Sequence, residues 1–139
     1  MSISTLQPNI GPGSDHLLRP KLHPRHEVIL SVDLGKAQDY SCYTVVEATP
    51  KTTTNLAGRQ LTIMTLEVLN IQRMPLGTDY MDVAAHIRDV YRDPRLWRRP
   101  ASGARVGPTA LVDAGGVGDG VCDIINSHMG IRPIRYKLV

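Results

Sequence analysis

Three apolar stretches dominate the middle of the chain. EVILSVD, residues 27–33, is a short continuous run closed by a carboxylate; YSCYTVVEA, residues 40–48, is rich in β-branched and aromatic residues; QLTIMTLEVLNIQR, residues 60–73, alternates in its first half. Such runs predict strands. The turn LGKAQD and the loop KTTTNLAGR join them, and connections this short imply an antiparallel meander. The period then changes. In GTDYMDVAAHIRDVYRD, Tyr80, Ala84, Ile87 and Tyr91, flanked by Val83 and Val90, fall on one helical face. Thr78 is the expected N-cap, with Asp79 and Asp82 near the positive end of the helix dipole and Arg88 and Arg92 near the negative end. TALVDAGGVGDGVCDIINSHM reads as a short buried strand ending at Asp113, a glycine-rich turn, and a helix with Val121, Ile124, Ile125 and Met129 on one face. IRPIRYKLV supplies a last strand, and the predicted order is β-β-β-α-β-α-β.

Two segments lack either period. Residues 1–25 carry prolines, glycines and scattered basic side chains, and are expected to be a flexible proline-rich arm ahead of a single folded unit, residues 26–139. His16, His23 and His26 are too irregularly spaced there to suggest a metal site. Residues 93–108, DPRLWRRPASGARVGP, form a long loop in which Arg95, Arg98, Arg99 and Arg105 surround Trp97. Such a loop can grip phosphates and stack on a base or sugar, or lie solvated with the indole tucked onto the body.

Composition narrows the picture. A chain of 139 residues fits one domain with one core. Its net charge of +3 permits an anionic partner without requiring one. Cys42 and Cys122 lie in apolar surroundings without metal-ligand spacing, and read as reduced core residues of a cytosolic protein. No run approaches the ~20 apolar residues of a membrane span, and no signal-peptide pattern opens the chain, so a soluble protein with no membrane partner is expected.

Chemistry is carried by a repeated feature. The first and fourth strands each end on an aspartate followed by glycine-containing backbone, SVDLG and LVDAGG. A single such aspartate usually makes an Asx turn or a helix cap. If a crossover through the first helix makes these strands parallel neighbours, however, Asp33 and Asp113 meet at the carboxyl edge of the sheet, where open α/β sheets place ligands. Two carboxylates so close repel unless a cation sits between them, and Mg²⁺ or Mn²⁺ suits oxygen donors. Asp39, Asp119 and Asp123 are read as a turn residue, a first-turn helix acid and a solvated helix residue.

With that order, VDLGKAQDYSCYTVVE and ALVDAGGVGDGVCDII together resemble the RNase H-like nuclease domain of the large subunit of bacteriophage terminases, over about residues 27–139. The resemblance implies an RNase H-like α/β mixed sheet and a Mg²⁺- or Mn²⁺-dependent endonuclease cutting double-stranded DNA during packaging, with Asp33 and Asp113 as catalytic metal ligands. It further implies a two-metal mechanism, with ions about 3.5–4 Å apart. Its implied partners are a terminase ATPase motor, the small terminase subunit or the portal, and its implied location is the host cytoplasm. The family's further acidic ligand lies on a helix after the last strand. The chain is therefore expected to be truncated before it and to cleave poorly or not at all. No G-x-x-x-x-G-K-[ST] is present, so no packaging ATPase accompanies the site. Two alternatives stay open: an actin-like or sugar-kinase-like ATPase domain, whose phosphate loops resemble VDLGK and VDAGG, and a non-catalytic DNA-binding module derived from a nuclease.

Overall fold

The computed structural model describes residues 26–35, 38–100 and 102–137; the N-terminal arm lies outside them. The elements follow the predicted order: β1 (Glu27–Asp33), β2 (Cys42–Thr54), β3 (Gln60–Arg73), α1 (Tyr80–Tyr91), a 3₁₀ turn (Pro94–Leu96), β4 (Thr109–Asp113), α2 (Gly118–Met129) and β5 (Ile134–Tyr136). They build one five-stranded mixed sheet ordered β3-β2-β1-β4-β5. β1, β2 and β3 pair antiparallel, while β1, β4 and β5 pair parallel. This is the mixed α/β sheet expected from the sequence, with β1 and β4 as parallel neighbours.

Period-two alternation on β1, β2 and β4 sends Val28, Leu30, Val32, Tyr43, Val45, Ala110 and Val112 to one face. Val83, Ala84, Ile87 and Val90 of α1, with Val121, Cys122, Ile125 and Met129 of α2, complete a single core with them. The helices also touch each other, since the Arg92 guanidinium donates to the Met129 carbonyl at 3.2 Å. Burying each large aliphatic side chain is worth about 1.5–3 kcal/mol. The core therefore fixes both helices on the same side.

Local details depart from the expectations. β2 does not stop at Ala48 but runs through Pro50 and the threonine run to Thr54, leaving only residues 55–59 as the hairpin loop. Asn55 closes that loop by accepting the amides of Ala57 and Arg59. α1 is capped by Asp79, whose side chain accepts the Met81 amide at 2.8 Å, rather than by Thr78, whose hydroxyl turns back to the Pro75 carbonyl. β3 carries a bulge: Val45 faces Asn70 and Val46 faces Val68, so Leu69 is the extra residue. Cys42 and Cys122 are free thiols. No helix among the described residues is long and apolar enough to cross a membrane.

Candidate functional site

β1 and β4 are parallel neighbours whose last registered pair is Val32 with Val112. Asp33 and Asp113 each follow by one residue, so they share the same end of the sheet. The alternation that buries Val32 and Val112 turns both carboxylates to the opposite face. β3 runs in the same direction as β1, and both helices start where a strand has just ended. The carboxyl edge therefore gathers Asp33, Arg73, Asp113, Tyr136 and the N-termini of α1 and α2.

The glycines after each aspartate have steric reasons. A Cβ on Gly118 would collide with the Asp113 carbonyl oxygen, and one on Gly35 with the Asp39 backbone. The strand-to-helix turn can pack so closely only without a side chain. Within it, the Gly115 amide donates to Asp113 Oδ1 at 2.8 Å, which is an Asx turn. That turn fixes the carboxylate without neutralising it.

Several other acids are engaged by a basic side chain. Asp119 is bound by Lys137 at 3.1 Å and Arg135 at 3.3 Å, and Asp123 by Arg135 at 2.5 Å. Asp93 is bound by Arg95 at 2.7 Å and Asp89 by Arg88 at 2.9 Å. Buried Glu47 meets His26. Asp33 and Asp113 have no ion-pair partner among the described residues. Lys137 and Arg135, by hydrogen bond and charge, hold the Asp119 carboxyl below its ordinary range, and Asp123 holds the Arg135 guanidinium above its own. The Cys42 thiol, in register with Asp33, is pushed above its usual value first by burial and then by the Asp33 charge.

Two carboxylates supply oxygen donors that fit Mg²⁺ or Mn²⁺. No group of three or more His, Cys, Asp or Glu side chains placed to hold a metal occurs among the described residues. Between the turn after β1 and the start of α1, a cleft of about 280 Å³ is lined by Gly35, Asp39, Ser41, Thr78, Asp79 and Tyr80, among others. The Tyr80 hydroxyl donates to the Gly35 carbonyl at 3.1 Å, tying α1 to the turn after β1.

The four loop arginines are not brought to this edge. Residues 93–108 leave the C-terminus of α1 and enter the N-terminus of β4, at the amino edge. The segment is built rather than open. Asp93 caps the 3₁₀ turn and grips Arg95, the backbones of Arg98 and Val106 bridge, and the Trp97 indole donates to the Tyr91 carbonyl at 2.8 Å. Arg105 lies over the Trp97 ring at 5.3 Å, so the indole packs on the body and carries a cation outside it.

Sequence reasoning missed Arg73. It pairs in register with Cys42, which pairs with Asp33, and its guanidinium stacks 3.9 Å from the Tyr40 ring centroid. The one available signal was its position as the last residue of a strand running parallel to β1.

No family model and no curated protein matches the chain. Among solved structures, the crystal structure of the large terminase nuclease from thermophilic phage G20c is similar to it at 17% identity and a TM-score of 0.46, over 87% of this chain and 48% of that one. This chain thus spans about half the length of that one.

Proposed function

We propose that the carboxyl edge is the metal-binding part of a divalent-cation-dependent endonuclease site for double-stranded DNA. The observation that carries the reading is the pair Asp33 and Asp113: same face, same end, adjacent parallel strands, and no ion-pair partner on either among the described residues. Asp33 and Asp113 would hold Mg²⁺ or Mn²⁺, which would supply Lewis acidity toward a phosphodiester. The chain's own residues do the rest. The N-termini of α1 and α2 favour a phosphate at this edge, Arg73 offers it a positive charge, and the Asx turn holds Asp113 in place. In the finer reading the chain serves DNA packaging as part of a terminase large subunit, with the ATPase motor, small subunit or portal as partners in a host cytoplasm.

The test is nicking of supercoiled plasmid with Mn²⁺ by the chain and by Asp33→Asn and Asp113→Asn. Slow nicking that disappears in both variants is expected. Nicking that survives either substitution overturns the assignment. The arginines of residues 93–108 support a second reading, metal-independent DNA binding at the amino edge, which would be strongly salt-sensitive and indifferent to both aspartates.

A further inference from the structure

We infer that β3 is a self-association edge, through which two copies of this chain pair antiparallel, β3 against β3, about a two-fold axis. The inference stands independently of the cation site. β3 is the outermost strand on its side of the sheet, so its outward backbone groups meet no strand among the described residues. Natural edges are blunted by shortness, proline, lysine or a bulge. The opposite edge obeys that rule, since β5 has 3 residues and Arg135 sits within it. β3 does not: it has 14 residues, and from Gln60 to Leu66 it contains no charge, proline or glycine. Its bulge lies beyond that stretch, at Leu69.

The side chains of this stretch are apolar on both faces. Leu61 and Ile63 are 45% and 46% exposed on one, and Met64 and Leu66 are 56% and 65% exposed on the other. Val68 and Ile71 extend the second row. Leu61, Ile63, Met64, Leu66 and Val68 thus offer half-exposed aliphatic surface on both faces of the edge to a partner, where stable interfaces bury roughly 800 Å² per side.

A second copy is the occupant that fits this edge. An antiparallel two-fold presents the same row of donors and acceptors to itself. Centred at Met64, it sets Glu67 against Leu61 and Val68 against Gln60, so no like charges meet. Pairing also consumes the long open edge found among the described residues, because β5 is too short and too charged to extend the sheet. A closed dimer results rather than a fibre.

The test is sedimentation equilibrium of the full chain over the micromolar range. The expected mass is twice 15.3 kDa and insensitive to salt. Ile63→Lys and Leu66→Lys, both at exposed positions, should each weaken the dimer tenfold or more with unchanged circular dichroism. Ile134→Lys, exposed on β5, should leave it intact. In the unmodified chain, amide exchange within residues 61–66 should slow as concentration rises. A 15.3 kDa species at every concentration, a dimer that survives both β3 substitutions, one that Ile134→Lys disrupts, or an assembly larger than two copies would each overturn the inference.

Discussion

At the carboxyl end of the sheet, Asp33 and Asp113 end adjacent strands with no ion-pair partner among the described residues, whereas at the amino end two of the loop arginines are held by the loop itself. There Arg95 closes on Asp93, and Arg105 lies over Trp97. The difference follows from topology. Strand-to-helix turns at the carboxyl end are short and glycine-bound, so they expose strand termini and helix N-termini together. The long return at the amino end has to fold upon itself, and its polar groups serve that folding. Charge left without an internal partner is charge available to a ligand.

The largest expected effect tests how tightly the carboxyl end is built. Gly118→Ala drives a Cβ into the Asp113 carbonyl, a backbone atom that cannot step aside, and should cost at least about 3 kcal/mol by denaturant unfolding. At the amino end, Gly107→Ala meets the Trp97 ring at 2.8 Å, a side chain that can shift, and should cost nearer 1 kcal/mol. Equal costs would dissolve the contrast between the two ends.

DNA affinity sharpens it next. Replacing Arg95, Arg98, Arg99 and Arg105 together with alanine should weaken binding broadly, and by less than four phosphate contacts would imply, because Arg95 already serves Asp93. An unchanged affinity and salt slope would leave the loop with a structural role alone. Arg73→Ala should lower the salt slope by about one, and the loss should be greater with Mn²⁺ present if phosphate sits at the carboxyl edge.

The smallest effect concerns pH. Lys137 and Arg135 hold the Asp119 carboxyl below its ordinary value, so their contribution to stability is fully present above about pH 4, the unfolded value. It is lost as pH falls through the lower folded value. Asp119→Asn should remove that part of the acid sensitivity, read as a slightly flatter pH dependence of the melting temperature. An unchanged profile would mean that solvent screens the exposed pair completely.

The strands and helices were legible because their periods are plain in the sequence, and SVDLG and LVDAGG were legible because each strand closes on its carboxylate. The second strand's continuation was not. KTTTNLAGR looks like loop chemistry, yet Thr52–Thr54 pair with Gln60–Thr62 in register as far as the turn at Asn55. The choice between Thr78 and Asp79 as cap turned on backbone geometry at adjacent residues that both favour capping. Arg73 was hidden because its relation to Asp33 runs through two registers, not through the chain.

The central claim is that Asp33 and Asp113 share a divalent cation. Electron paramagnetic resonance of Mn²⁺ titrated into the full chain reads this without requiring catalysis. The account predicts one bound ion per chain, with affinity at least tenfold weaker in Asp33→Asn and in Asp113→Asn and unchanged in Asp119→Asn. Binding that either variant retains at full strength, or that Asp119→Asn abolishes, would contradict it.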